Sequence, residues 1–347
     1  MGLVIDGLHP SGTAFGRFEG RRVFVEDAIP GETADVRVIY GGNDFLTGER
    51  IQTLSPHPQR QTPFCRHSGV CGGCKWQHIQ YMHQLEMKRS LLSEVLSRKA
   101  IPSPQPEPVI ASPETLRYRN RLEFAFSDTR WFYNHEGKIE DTTERLALGF
   151  HAAGVQGRVV DTEECYLAPE AFIQIRDFVK KEAVAQGLSF FSFKNGTGQL
   201  RNLEIRCGSR SGWTVILGLS SPAGPGVTTL LRALRTEFPF ITSVLINLLR
   251  DAYKGIPSTE YLAPDGDTGH TTEEANGLVF RVSAGSFYQP NRFQAPELFR
   301  LVQEMADAGP NDHVYDLYTG AGTLALHLAR KAGQVTGIEA SEDAIRD

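Results

Sequence analysis

The feature that most constrains the fold lies at residues 314–347. VYDLYTGAG (314–322) is a strand of the buried type, and it runs into a turn holding Gly320 and Gly322. A helix over 323–331, the strand VTGIE and the start of another helix follow. Strand, glycine turn, helix and strand in this order form the opening βαβ unit of a doubly wound α/β fold. The two glycines permit a tight turn and a close approach of a ligand to the backbone, and the helix N-terminus points at the same place. Glu339 ends the second strand, 23 residues after Asp316, near the ~20-residue offset at which a carboxylate takes ribose hydroxyls. The full G-x-G-x-x-G of dinucleotide folds is absent, because position 325 is alanine and the turn reads D-x-x-x-G-x-G. That form suits S-adenosylmethionine, which has one nucleoside and no pyrophosphate to cradle. A turn with no ligand and a nicotinamide site are the competing readings.

Cysteine spacing gives the second strong signal. Of five cysteines, Cys65, Cys71 and Cys74 fall within CRHSGVCGGC, a C-x5-C-x2-C array, while Cys165 and Cys207 stand apart. An odd count in a chain of this size does not read as a disulfide framework. Gly72 and Gly73 let the backbone turn so that neighbouring sulfurs can face one ion or cluster. A four-thiolate site needs one more ligand. Cys165 sits in a polar turn before a helix, whereas Cys207 lies in an alternating, strand-like run. Zinc and a [4Fe–4S] cluster both accept four thiolates. Three clustered cysteines plus a distant one lean toward iron–sulfur, with zinc as the alternative.

A chain of 347 residues holds about two domains at roughly 150 residues each. Residues 3–54 read as a small OB-like β-barrel, with short β-branched and aromatic runs between Gly-rich and Pro-Gly turns. Phe15, Arg17, Phe18, Arg21 and Arg22 are its candidate nucleic-acid contacts. LSPHPQRQTP (54–63) reads as a Pro-broken linker. An amphipathic helix follows the cysteine array, with Ile79, Met82, Leu85, Leu92, Val95 and Leu96 near one stripe. A mixed region comes next, with strand-like segments at 121–127, 145–151, 200–206, 213–219, 243–249 and 278–284 and helices over 168–186 and 227–237. The boundaries drawn are 1–55 for the barrel, 60–105 for the cysteine segment and helix, 106–284 for a central α+β domain carrying Cys165, and 285–347 for the glycine-turn domain.

The net charge of -5 argues against a wholesale nucleic-acid coat. Residues 61–130 nevertheless carry ten Lys and Arg against six Asp and Glu, enough for a local RNA contact. No apolar run approaches the ~18 residues that span a bilayer. The N-terminus has no secretory pattern, and Asp6 stands where a myristoylation signal needs Ser or Thr. The expectation is a cytoplasmic monomer without a membrane partner.

The ordered set of barrel, C-x5-C-x2-C, distant cysteine, YRNR (118–121), FYQPN (287–291) and DLYTGAG (316–322) resembles the RNA uracil-5 methyltransferase family. It is most similar to the branch with a TRAM domain and an iron–sulfur cluster, typified by 23S ribosomal RNA 5-methyluridine methyltransferases. The resemblance implies that Cys65, Cys71, Cys74 and Cys165 hold a [4Fe–4S] cluster. It implies that Gln289, Tyr318 and Glu339 contact S-adenosylmethionine beside Asp316, Gly320 and Gly322, and that the helix after the cysteines packs on the catalytic domain. The implied partner is RNA, 23S ribosomal RNA first, with transfer RNA as the alternative.

The sequence also departs from that family. Its chemistry needs a thiolate that adds to uracil carbon 6, making carbon 5 nucleophilic, and a base that removes the carbon 5 proton. The motif D-P-P-R, the nucleophilic cysteine and the general-base glutamate are not among residues 1–347. The expectation is therefore an incomplete, C-terminally truncated methyltransferase domain, with no catalytic residue assigned and no turnover by this chain. A non-catalytic RNA-binding iron–sulfur module is the rival from a different class.

Overall fold

The computed structural model describes residues 1–347 except 43, 103–104, 132–144, 155–156, 251–257, 264–266 and 268. The described chain forms two compact units. One is 1–111 with 152–154, and the other is 112–151 with 155–347.

In the first unit, strands β1 (Gly2–Leu8), β2 (Ala14–Phe18), β3 (Arg21–Val25), β4 (Thr33–Gly41) and β5 (Phe45–Ser55) close a barrel in the order β1-β2-β3-β5-β4. Alternation along the strands turns Leu3, Ile5, Val23, Val25, Ala34 and Val36 into its core. Phe15 is buried, with the Arg22 guanidinium 5.2 Å from its ring centroid, so it belongs to the packing. Arg17 and Phe18 are exposed. The segment read as a linker is anchored to the barrel. Arg60 donates through Nε (2.6 Å) and Nη2 (2.8 Å) to the fully buried Glu32, and through Nη2 (2.8 Å) to the Asp27 carbonyl. A buried carboxylate needs such a partner, and the barrel supplies the burial that local sequence cannot show.

Helix α1 (Tyr81–Arg98) buries Leu85 and Met87. Met87, with Leu91 and Trp76 beside it, joins the barrel core. Met82 and Leu92, expected on the apolar stripe, are exposed.

The second unit begins with a seven-stranded sheet in the order β12-β11-β10-β9-β6-β7-β8. Its strands are β6 (Arg121–Ser127), β7 (Ala147–His151), β8 (Val159–Asp161), β9 (Leu200–Cys207), β10 (Trp213–Leu219), β11 (Ser243–Arg250) and β12 (Ser258–Leu262). Among the described residues of this sheet β10 and β11 are the one parallel pair, and α3 (Pro225–Glu237) crosses between them. Helix α2 (Ala171–Ala185) lays Phe172, Ile175 and Val179, and α3 lays Val227, Leu230 and Leu234, into one core with Phe124, Leu203, Ile205, Val215 and Leu217 of the sheet.

A hairpin of β13 (His270–Ala275) and β14 (Leu278–Ser283) follows, then α4 (Ala295–Ala306). Strand β13 escapes a sequence reading because the residues it buries are Thr271 and Glu273 as well as Ala275. Next come β15 (His313–Leu317), α5 (Thr323–Leu328), β16 (Gln334–Ile338) and α6 (Glu342–Arg346). Strands β15 and β16 pair in parallel, as the glycine-turn pattern requires. Helix α5 is shorter than expected. Tyr315 and Leu317 are 60% and 61% exposed, because among the described residues β15 pairs only with β16. Among the described residues no helix is long and apolar enough to cross a membrane.

Phe124 is fully buried at the centre of the larger core. Phe124→Ala is expected to lower stability by about 3–5 kcal/mol, read as a fall in the urea midpoint with little change in slope.

Candidate cofactor site

The turn between β15 and α5 is built from the chain upward. Asp316 stands near the end of β15, opposite Gly337 of β16. Its Oδ2 accepts from the Thr319 hydroxyl at 2.7 Å and from the Ala325 N–H at 3.0 Å, so one carboxylate oxygen staples the turn to the helix that follows it. From the next strand, Glu339 Oε2 accepts the Gly320 N–H at 2.9 Å. Its Oε1 accepts the N–H groups of Ala340 (2.8 Å) and Ser341 (2.9 Å). These bonds, from Ser341, Gly320 and Ala340, hold the Glu339 carboxyl below the usual glutamate range.

Left-handed backbone makes the turn possible. Tyr318, Gly320 and Gly322 have φ of 63°, 60° and 74°. A side chain added at Gly320 would meet no atom within 4 Å, so this part of the turn faces open space. Tyr318 pays strain that glycine would avoid, and its side chain is 92% exposed. Asp316, Gly320, Gly322 and Glu339 are thus brought together in one structure. Tyr318 belongs to the same turn and projects away from the protein.

Gln289 is placed differently. It lies between β14 and α4, half-buried, and its carbonyl accepts from Asn120 Nδ2 at 3.1 Å. Among the described residues no hydrogen bond joins it to the glycine turn.

All five cysteines are described and none is in a disulfide. Cys65, Cys71 and Cys74 belong to the first unit and Cys165 to the second. The Gly73 N–H donates to Cys71 Sγ at 3.4 Å, and Cys71 makes a β-bridge with Ala152. The donor type suits a thiolate-held centre. Among the described residues, however, no group of three or more His, Cys, Asp or Glu is gathered to hold a metal ion. Cys207 is 2% exposed in the sheet core, and burial pushes its thiol up to about 12.

Comparison with known proteins agrees with this architecture. Residues 3–51 match the TRAM domain model. An uncharacterized RNA methyltransferase of Porphyromonas gingivalis is 36% identical over 99% of this chain and 76% of its own length. One from Bacteroides thetaiotaomicron is 35% identical over 97% and 75%. Among solved structures, the Pyrococcus abyssi tRNA (uracil-54, C5)-methyltransferase in complex with S-adenosyl-L-homocysteine aligns with a TM-score of 0.74. It is 23% identical, and the alignment covers 100% of this chain and 74% of that one, so the likeness is one of fold. The chain belongs to the family of these RNA methyltransferases.

Glu339→Ala removes the acceptor of three turn N–H groups and is expected to speed amide exchange selectively at Gly320, Ala340 and Ser341, read by NMR. A depressed pKa keeps Glu339 charged above its folded value and gives up its contribution only as pH falls through that value. The chemical shifts of the turn are therefore expected to stay level from pH 7 down to about 5, where ordinary glutamates are beginning to protonate.

Proposed function

We propose that the protein transfers the methyl group of S-adenosylmethionine to carbon 5 of a uridine in RNA, with 23S ribosomal RNA as the substrate and a cytoplasmic monomer as the working form. The observation that carries this reading is the glycine turn braced by Asp316 and Glu339, set in a fold that aligns over the whole chain with a uracil-5 methyltransferase. Glu339 takes the cofactor's ribose hydroxyls with the acceptor capacity that its three N–H bonds leave. Gln289 and Tyr318 line the cofactor, and Gly320 and Gly322 admit it against the backbone. The sulfonium, when bound, supplies an electrophilic methyl group.

The RNA reading draws support from the barrel. Its match to the TRAM domain and its exposed Arg17 and Phe18 offer a charge and an aromatic face to single-stranded RNA. Transfer RNA is the alternative substrate, favoured by the substrate named for the Pyrococcus enzyme.

Cys207 does not serve as the nucleophile, because its thiol is buried and resists ionisation. The family resemblance assigns Cys65, Cys71, Cys74 and Cys165 to a [4Fe–4S] cluster, with zinc as the alternative. On this reading residues 1–347 bind cofactor and RNA.

Several measurements check these points. Calorimetry with S-adenosylhomocysteine and filter binding with ribosomal and transfer RNA are expected to show cofactor binding and a preference for ribosomal RNA, both unchanged in Cys207→Ser. Loss of cofactor binding in Gln289→Ala, Glu339→Ala and the wild type alike would defeat the methyltransferase reading. Protein purified without oxygen is expected to be brown, with broad visible absorbance and bound iron and sulfide. A colourless protein with stoichiometric zinc replaces the cluster with a zinc site.

A further inference from the structure

The segment YRNR (118–121) stood out in the sequence, and the proposed chemistry gives it no role. In the structure it runs antiparallel to FYQPNR. Arg119 bridges to Asn291, the Asn120 N–H donates to the Pro290 carbonyl at 3.0 Å, and the Arg292 N–H donates to the Tyr118 carbonyl at 3.2 Å. The Asn120 side chain is 5% exposed. Its Nδ2 donates both to Glu273 Oε1 at 2.9 Å and to the Gln289 carbonyl at 3.1 Å. Both partners are oxygens that accept, which fixes the orientation of the amide.

Glu273 is itself 3% exposed, and Oε2 accepts the Ser209 N–H at 3.0 Å. Burial holds its carboxyl above the usual glutamate range, so the donors around it are what keep an acceptor there. One turn earlier, Arg206 Nη1 donates to the Ser283 and Ser286 carbonyls, each at 3.0 Å. A cavity of about 20 Å³ lies among Asn120, Arg206, Glu273, Ser286 and Tyr288. It has room for about one water and none for a base, so these groups do not form a substrate pocket.

We infer that Asn120, held by Glu273, is a positioning residue that sets the backbone of Gln289 and Pro290 so that the Gln289 side chain is presented for cofactor binding. The inference rests on the reading that Gln289 contacts S-adenosylmethionine. A segment without secondary structure of its own has many conformations to lose, and a contact made by it is strong only if something else has already ordered it. Here the Gln289 and Pro290 carbonyls and the Arg292 N–H are held by the YRNR segment.

The test uses the whole chain as wild type, Asn120→Asp, Asn120→Ala and Gln289→Ala. It reads S-adenosylhomocysteine affinity by calorimetry, RNA affinity by filter binding and amide exchange by mass spectrometry. Asn120→Asp keeps the shape, loses both donated bonds and sets a second acceptor against Glu273. It is expected to weaken S-adenosylhomocysteine about tenfold, to speed exchange selectively over residues 286–292, and to leave RNA affinity unchanged. Asn120→Ala adds no charge and serves if the aspartate variant does not fold; the same selective pattern is expected of it. Unchanged exchange over 286–292 with unchanged affinity would overturn the inference, as would faster exchange spread evenly over the chain. Should Gln289→Ala bind S-adenosylhomocysteine like wild type while the Asn120 variants loosen the segment, the clamp stands and the cofactor role of Gln289 falls. Should Gln289→Ala lose affinity while the Asn120 variants keep it, the cofactor role stands and the inference falls.

Discussion

A turn that offers backbone to a ligand must be held in shape before the ligand arrives, and two carboxylates do this at the end of β15. Asp316 binds the Thr319 hydroxyl and the Ala325 N–H, while Glu339 gathers the N–H groups of Gly320, Ala340 and Ser341. Without them the Gly320 N–H, in left-handed backbone, and the N–H groups of Ala325, Ala340 and Ser341 would lose these acceptors, and left-handed backbone is costly for a residue such as Tyr318. The parallel pairing of β15 with β16 makes the arrangement possible, because it carries Glu339 to the turn that Asp316 begins. The same groups that could receive an adenosyl ligand therefore also build the place where it would sit.

The larger sheet has a supporting part. Its core of phenylalanine and branched aliphatic side chains under α2 and α3 is apolar and closely packed. Polar, buried groups collect elsewhere, where β6, β9 and the β13–β14 hairpin approach the loop that carries Gln289. Buried polar groups are tolerated only when paired. Here the pairing runs between segments remote in sequence, with Asn120 and Glu273 separated by 153 positions. Such a network favours one arrangement of its segments over looser ones, which a purely apolar contact would not do as sharply.

Local pattern and tertiary context divided the reading of the chain in a consistent way. Strand 121–127 was legible because RLEFAFS alternates with a period of two, and strand 213–219 because WTVILGL is a short apolar run of the buried type. Strand β13 was not, since Thr271 and Glu273 take inward positions and only their partners on other strands make that acceptable. The stripe on α1 was half right. Leu85 is buried, but Met87 rather than Met82 enters the barrel core, because the contact surface is set by the barrel. The cysteine array was conspicuous in sequence, yet the described residues gather no metal-holding group, and the family resemblance carries that assignment.

What the sequence by itself determined was the chemistry on offer and its order along the chain. It held a barrel, a thiol array, a mixed sheet and a glycine turn with an acidic residue one strand later. Those follow from periodicity, turn residues and short-range spacing, which need no knowledge of distant contacts. Only the tertiary structure decided what the acidic residues do for the turn, that Arg60 and Glu32 tie a Pro-rich segment to the barrel, and that YRNR pairs with FYQPN. Each of these depends on groups far apart in sequence meeting at hydrogen-bond distance in a site shielded from water. Burial and register are properties of the folded chain, and no local pattern of residues encodes them.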